Sequence, residues 1–252
     1  MSRQINIGTT GLPVTDASMN TSREPVMEQS MSGKGGEILY GGLYSAPQGS
    51  FSGAYRPSVF NTYITELLKS EPSTYEITVF DDNGNAMKSA TTYISGCEIS
   101  MRVGELAKVT FNFVGQAAEF LTGQTPATAS FTAEVPVFYK SSTSWGQCSE
   151  FTLKIDRPYT ADDYVLGGPF HSESIYQSGD TKITGTVKLS QTAAYKLTDP
   201  GNITITLGMI SSNTTIALTG VVLAGGDLSI SGRGLINKTQ SWACPSGNIT
   251  IT

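Results

Sequence analysis

Apolar and polar residues alternate with a period of two along much of the chain after residue 74, which is the pattern of β-strands with one buried face. The alternation is clearest in two neighbouring segments. Their apolar residues are Cys97, Ile99, Met101 and Val103 in the first and Val109, Phe111 and Phe113 in the second. A slip of one residue would expose two phenylalanines, so the pattern predicts one pairing register.

Shorter segments repeat this alternation. They lie at residues 75–79, 151–155, 183–189, 203–207, 216–218, 228–230 and 249–251. After the strand predicted at residues 75–79, the segment Asp81 to Asn85 predicts a tight hairpin, because its Asn-Gly pair adopts positive φ angles easily. The short pieces after Asp199 are punctuated by Gly and Asn, and they predict a second β module or an outer decoration.

One segment has a helical period instead. Its apolar stripe consists of Val59, Phe60, Tyr63, Ile64, Leu67 and Leu68. Ser58 follows Pro57 and is the predicted N-cap residue, while Pro72 prevents the helix from continuing. Three turns are short for a membrane or partner helix, so the stripe is interpreted as core packing.

Three segments lack such periodicity. Residues 1–34 are polar and rich in Ser, Gly and Met, and they are expected to be disordered or to order only against a partner. Residues 116–149 are irregular, and residues 157–180 form a long connection. The predicted division is therefore an N-terminal arm at 1–34, a core domain at 35–198 and a C-terminal β extension or decoration at 199–252.

Composition favours a β-rich chain that does not grip DNA. Charged residues make up 15% of the 252 residues, and the chain contains 27 glycines. The average charged share is about 25%. The net charge of −5 gives no counterion release on DNA, whereas an acidic wall around DNA would repel its phosphates.

The three cysteines, Cys97, Cys148 and Cys244, are odd in number and distant in sequence, which favours reduced thiols and assembly in the cytosol. Residues 1–21 lack the apolar segment of a secretory signal. No run reaches the 18 apolar residues that would indicate a membrane span.

Candidate chemistry is sparse, and no catalytic, cofactor-binding or metal-binding residue is predicted. His171, the single histidine, could act as a general base, but no nucleophile accompanies it, so a solvent or interface position is favoured. The pairs Asp81-Asp82 and Asp162-Asp163 lack calcium-loop spacing and are interpreted as solvated turns. The motifs Gly167-Gly168-Pro169 and Gly225-Gly226-Asp227 lack the Lys-Ser/Thr of a phosphate loop. Cys97 is expected to be buried.

The order of these elements resembles the tail tube proteins of long-tailed bacteriophages. The stretches that carry the resemblance are residues 49–68, residues 95–115, residues 151–156 and residues 178–187. The second (Ser95-Gly96-Cys97-Glu98-Ile99-Ser100-Met101, then Gly104 to Gly115) and the fourth (Ser178 to Val187) are the most specific. Together the four span roughly residues 49–190, and the resemblance does not extend to residues 1–34 or 199–252.

The resemblance implies a mainly β fold, a tail-tube-type β-sandwich or barrel with one flanking α-helix, a long N-terminal arm and loops. It implies a non-enzymatic virion protein of the phage tail, assembled in the host bacterial cytoplasm. Subunits would join their strands in hexameric rings, and the rings would stack into a tube through which DNA is ejected without specific binding. The implied partners are other copies of the chain, a tape-measure protein and the tail tip and terminator proteins, with no membrane and no cofactor.

Two alternatives stay open beside the tube. The Thr-rich tail at 199–252 could belong to a β-sandwich adhesin or glycan-binding surface module of a virion. An enzyme is least supported, and loss of an activity on His171→Ala would revive it. For a tube, Glu98 is a candidate channel residue because it lies opposite the apolar face of its strand, but Arg102 and Lys108 lie on similar faces.

Overall fold

The protein is a mainly β structure with one helix in the part of the chain that the structure describes. The computed structural model describes residues 4–29, 37–129, 136–143, 145, 148–161, 172, 174–190, 193–194, 197–208, 213–230 and 236–252. The mainly β fold with one flanking helix, expected from the sequence, is confirmed.

The first half of the chain contains ten strands and the helix among its described residues. They are β1 Gln4–Ile7, β2 Thr10–Gly11, β3 Asp16–Asn20, β4 Arg23–Gln29, β5 Glu37–Tyr44, β6 Gln48–Ala54, α1 Pro57–Leu68, β7 Tyr75–Phe80, β8 Ala86–Arg102, β9 Lys108–Gly115 and β10 Glu119–Leu121. The second half contains nine described strands. They are β11 Phe138–Ser142, β12 Cys148–Asp156, β13 Tyr159–Thr160, β14 Tyr176–Gln177, β15 Lys182–Leu189, β16 Gly201–Gly208, β17 Asn213–Ile230, β18 Ile236–Cys244 and β19 Ile249–Ile251.

Eight strands form one continuous antiparallel ladder in the order β3-β6-β9-β8-β12-β15-β18-β17. We call it the main ladder. The first part of β8 leaves it to pair with β7, and the first part of β17 leaves it to pair with β16. The long strands β8 and β17 therefore connect the main ladder to two smaller ladders that cover it.

The core lies between these layers. In the main ladder, Phe51, Phe111, Phe151 and Trp242 are all at most 1% exposed, and Phe51 stacks on Phe111 with 5.0 Å between ring centroids. Cys97 pairs with Phe111 and Ile99 with Val109, so the register predicted from the alternation is confirmed. The hairpin predicted at residues 81–85 also forms, with Gly84 at a φ of 79°.

Helix α1 covers one end of the core. Phe60, Ile64 and Leu67 are buried, and Val59, Tyr63 and Leu68 pack against them, as the stripe predicted. The helix begins at Pro57 with no side-chain cap, and its N-cap is Arg56, two residues before the predicted Ser58. Ser58 is therefore inside the first turn, because the fixed φ of proline fits the first helical position.

Two expectations about the chain ends are corrected. Residues 4–20 are not without structure of their own: β1 pairs with β7, and β3 pairs with β6. The pieces predicted at 216–218 and 228–230 are one strand, β17, and β18 lies between β15 and β17. The predicted domain boundaries after residues 34 and 198 stay a prediction. Strand pairs join the segments on either side of each boundary, β3 with β6 and β15 with β18.

Candidate assembly surface

One face of the main ladder is covered by the core, and the other carries short hydroxyl side chains. In neighbouring strands, Ser18 faces Ser50 with their Oγ atoms 3.3 Å apart, and Thr152 faces Thr186 with their Oγ1 atoms 2.7 Å apart. We call this surface the hydroxyl face. It has the chemistry of a wetted wall rather than of a pocket that binds one ligand.

Charges of both signs lie on the hydroxyl face. The acidic residues in its described part are Asp16, Glu98, Glu150, Asp156 and Asp227, and the basic residues are Arg102, Lys108, Lys154, Lys182 and Lys188. Glu150 lies 3.4 Å from Arg102 Nε and 3.6 Å from Lys188 Nζ. The described part of this face thus carries five acids and five bases, so the net negative charge of the chain is not concentrated on it, and the acidic channel wall stays a prediction.

Glu98, the channel residue named from the sequence, does lie on the hydroxyl face. It is directly opposite Thr110 on β9 and Lys154 on β12. Lys108 and Arg102 share the face with it. Cations lie opposite Glu98 and Asp156 and form ion pairs with Glu150, so this part of the surface is near neutral.

The main ladder has an open edge at each end. Among the described residues, β3 pairs only with β6, and residues 225–230 of β17 pair only with β18. Leu228 on the second edge has 63% of its surface exposed. Unpaired edges of this kind are sites at which another chain can add a strand.

Two hairpins extend from strands of the main ladder, β4–β5 after the edge strand β3 and β13–β14 after β12, which lies between β8 and β15. The hairpin β4–β5 is a two-stranded sheet of its own, with the Arg23 guanidinium 4.9 Å from the centre of the Tyr44 ring. An isolated two-stranded hairpin is only marginally stable in water. The hairpin β13–β14 instead packs on the body of the protein, where Tyr159 stacks on Tyr93 with 4.9 Å between centroids.

Arg157, at the base of the β13–β14 hairpin, holds the end of helix α1. It is 4% exposed, and its guanidinium donates to the carbonyl oxygens of Leu67 at 3.3 Å and Ser70 at 3.1 Å and also to that of Lys69. Its Nε donates to Gln177 Oε1 at 2.9 Å. A buried cation thus occupies the negative end of the helix dipole.

A second buried charged residue, Glu66, lies within helix α1 itself. Burial raises the pKa of Glu66, but hydrogen bonds from Lys69 and from the Ser73 backbone outweigh this effect, so its pKa lies below its usual range. Burial, followed by the negative charge of Glu66, raises the pKa of Tyr75 to about 12. The contacts of Glu66 with Lys69 and with the Ser73 backbone tie the end of the helix to the segment that follows it.

All three cysteines are free and buried. Burial raises the pKa of each thiol, and the charge of Glu98 adds to the effect at Cys97. Because the thiolate is the reactive form, we expect a maleimide dye to label the folded chain about tenfold or more slowly than the chain in concentrated urea. Rapid labelling of the folded chain at three thiols would contradict this burial.

The other candidates from the sequence form no site. Asp81 accepts hydrogen bonds at 2.8 Å from the backbone N–H groups of Asn83 and Asn85, and the side-chain hydrogen bond from Asn85 lowers its pKa. Gly225 and Gly226 lie in β17 rather than in a loop. Three candidates lie outside the described residues, namely His171, Asp162-Asp163 and Gly167-Gly168-Pro169.

Within the described part of the chain, no group of three or more His, Cys, Asp or Glu residues is placed to hold a metal ion. The same residues include no helix long and apolar enough to cross a membrane. Sequence reasoning missed the edge strand β3, although Ala17 and Met19 alternate there with polar residues.

Comparison with known proteins gives one family and two structural neighbours. The sequence profile of the family described as "Phage tail tube protein" matches residues 8–244. A search of curated proteins finds no match. The anti-feeding prophage cap (AFP tube terminating cap) is similar over 48% of this chain and 87% of its own, with 14% identity and a TM-score of 0.41. A chain of the PVC sheath-tube complex of an extracellular contractile injection system is similar over 48% of this chain and 88% of its own, with 12% identity and a TM-score of 0.40.

Proposed function

Because this chain belongs to the phage tail tube protein family, we propose that it polymerises into stacked rings that form a tail tube and the conduit for DNA ejection. The family makes it a structural component of the virion. The observation that carries the proposal beyond the family is the main ladder with an open edge at each end.

Such a ladder supports growth into a closed ring. Its two edges belong to different strands, so the contact between copies is head-to-tail, and a head-to-tail contact forms a ring when its rotation closes. Closing the ring removes the unpaired edges that would otherwise cause aggregation. The sequence resemblance implies six subunits in a ring, and the actual number depends on how much of the ring each chain supplies.

The hydroxyl face is the proposed channel wall. Its Ser and Thr side chains hold a water layer, and its acids and bases lie close enough to balance each other, as Glu150 does with Arg102 and Lys188. A near-neutral wall releases few counterions from DNA, so DNA can slide along it without a specific contact. The opposite orientation would turn the two smaller ladders and helix α1, which cover the core, toward the channel.

Tail components are the proposed partners. Copies of the chain would contact each other within and between rings, with residues 1–34 and the 116–149 segment bridging neighbours. The tape-measure protein would fill the channel before ejection, and tip and terminator proteins would close the two ends. The three free thiols suit assembly in the reducing host cytoplasm.

The glycan-binding alternative has less support than the tube. It requires residues 199–252 to act as a separate module, but β18 lies between β15 and β17 inside the main ladder. Binding of a glycan array by the intact chain, in the absence of any polymer, would favour that alternative.

Negative-stain electron microscopy of the purified chain tests the proposal. We expect hollow rings or tubes roughly 100 Å across, the size expected for about six compact sheet units around a channel. Treatment with nuclease should leave the polymers intact, because the contacts join protein strands. A chain that stays monomeric at high concentration, even with tail tip proteins added, would contradict the proposal.

A further inference from the structure

The two halves of the chain have the same strand connectivity. In the first half the main ladder runs β3-β6-β9-β8, and in the second half it runs β12-β15-β18-β17. In each half the last strand of the ladder is long. Its first part leaves the ladder and pairs with the strand that precedes it in sequence, which is β7 for β8 and β16 for β17. We call residues 4–115 the first repeat and residues 138–244 the second repeat.

The irregularities of the two repeats coincide. The β8–β9 register shifts between Ile94 and Gly96, and the β17–β18 register shifts between Leu223 and Gly225. In the first repeat Ile94 is opposite Phe113, and in the second Leu223 is opposite Trp242. A second shift occurs before Ile77 in β7 and before Ile203 in β16. Matching bulges indicate a duplicated fold, since bulges are specific features of a strand pair.

A close packing detail is also duplicated. A Cβ atom on Gly49 would lie 2.1 Å from the Ser18 carbonyl oxygen and 2.4 Å from the Phe113 ring. A Cβ atom on Gly185 would lie 2.1 Å from the Thr152 carbonyl oxygen and 2.3 Å from the Trp242 ring. Each glycine therefore makes room for the aromatic residue opposite it.

The amino-acid sequences of the two repeats are also similar in the part of β17 that forms an open edge of the main ladder. Residues 94–101 read Ile-Ser-Gly-Cys-Glu-Ile-Ser-Met, and residues 223–230 read Leu-Ala-Gly-Gly-Asp-Leu-Ser-Ile. The two segments share large apolar residues at the first, sixth and eighth positions, an acid of the same charge at the fifth, and the same glycine and serine, while Gly226 replaces Cys97. The outer part of β17 is thus equivalent to the second part of β8.

These equivalent strands differ in what covers them. The second part of β8 pairs with β12, the first strand of the second repeat. Residues 225–230 of β17 are equivalent to the second part of β8, but in the described chain no strand lies on their outer side. The strand equivalent to β12 is β3, and it forms the opposite edge of the main ladder. Accordingly Ile99 is 0% exposed, whereas its equivalent Leu228 is 63% exposed.

We propose that residues 225–230 of one chain pair antiparallel with β3 of a second copy, in the register by which β8 pairs with β12. Ser100 is opposite Thr152, Ile99 is opposite Leu153 and Glu98 is opposite Lys154. The corresponding pairs between copies are Ser229 with Ser18, Leu228 with Met19 and Asp227 with Asn20. The contact covers Leu228 and continues the hydroxyl face across the junction.

The hairpins follow the same rule. β13–β14 follows β12 and reaches the first repeat of its own chain, where Tyr159 stacks on Tyr93. β4–β5 follows β3 in the same way, so it reaches the second repeat of the neighbouring copy. The residue equivalent to Tyr93 is Val222, which is 46% exposed and is covered by this arrangement.

The duplication also sets the number of chains in the ring that we propose above. Each chain supplies eight strands to the wall. Strands ~4.8 Å apart and tilted by about 40° make a backbone cylinder roughly 48 Å wide for 24 strands, 32 Å for 16 and 96 Å for 48. After lining side chains are added, 16 strands leave little clearance around a duplex about 20 Å wide, and 48 leave a channel several times wider than needed. Three chains supply 24 strands and six repeats, and their ring fits a DNA duplex. We therefore expect three chains in a ring rather than six.

Cysteine cross-linking tests the register. The double variant Ser18→Cys/Ser229→Cys changes two exposed side chains, and opposite residues on one sheet face have Cβ atoms about 5 Å apart, close to disulfide range. Mild oxidation of assembled protein should give covalent dimers and trimers, with the closed trimer as the largest product. Ser100→Cys/Thr152→Cys is the matched control, because it should cross-link within one chain. Each single variant should give no polymer ladder.

The outcomes separate the claims. A polymer that forms but yields no Ser18–Ser229 cross-link overturns the register while leaving the tube in place. A ladder that continues to six chains overturns the trimer. A chain that never polymerises overturns both the tube and the contact. As an independent check, Leu228→Asp should abolish assembly while Leu228→Met keeps it; assembly by both variants would contradict the burial of Leu228.

Discussion

Gly185→Ala is expected to lower the free energy of unfolding by about 3 kcal/mol, because overpacking a well-filled sheet position strains the surrounding backbone. The new methyl group would lie 2.1 Å from the Thr152 carbonyl oxygen and 2.3 Å from the Trp242 ring. The carbonyl belongs to a paired strand and the ring is buried, so neither can move without breaking the ladder or the core.

Urea unfolding of the unassembled chain, followed by tryptophan fluorescence, measures this effect. Gly225→Ala is the matched control, since its methyl group would meet nothing within 4 Å, and its midpoint should stay within error of the wild type. Gly49→Ala should behave like Gly185→Ala, because the Phe113 ring occupies the equivalent space. Equal midpoints for Gly185→Ala and the wild type would contradict the packing described around Trp242.

Arg157→Met is expected to cost about 2–4 kcal/mol, since hydrogen bonds to a charged group are worth more than neutral ones and buried carbonyls would lose their donor. Arg157 is 4% exposed and donates to the last carbonyls of α1 and to Gln177. Methionine preserves most of the side-chain volume, so the loss reports the guanidinium rather than a cavity.

Arg102→Met is the control for this substitution. Its side chain is 62% exposed, and its ion pairs with Glu105 and Glu150 lie at the surface. Such pairs contribute about 0–1 kcal/mol. Midpoints of unfolding in urea should therefore fall clearly for Arg157→Met and little for Arg102→Met, and the reverse order would exclude a role for Arg157 in holding the helix.

The local elements were predictable because each depends on a pattern within one segment. The stripe from Val59 to Leu68 gave the helix, and the alternation around Cys97 and Phe111 gave both the strands and their register. The N-cap of the helix lies only two residues before the predicted one, at Arg56 instead of Ser58. The family followed from the order of these same elements.

The ends of the chain were harder to predict because their order depends on distant strands. β3 contains only Ala17 and Met19 as apolar residues, and it forms a strand because β6 supplies its partner backbone. In the sequence, Gly220 looks like the end of a strand. In the structure β17 continues through it, and the glycine adopts a φ of 69° within the strand. Single-segment patterns do not contain that information.

The duplication was hidden from the sequence by unequal connections. In the first repeat, residues 55–74 between β6 and β7 include a helix, whereas the connection from β15 to β16 in the second repeat spans only residues 190–200. The agreement between residues 94–101 and 223–230 becomes significant only once the matching bulges align the strands. The face that we propose for the channel likewise could not be chosen from alternation alone, since the choice required knowing which face the core covers.

Cryo-electron microscopy of assembled tubes, at a resolution that traces the backbone, tests the central claim most directly. We predict an uninterrupted β-ladder around the channel, with residues 225–230 of each chain beside β3 of the next and the hydroxyl face lining the lumen. Tubes in which these two edges face solvent, or in which the hydroxyl face points outward, would contradict it.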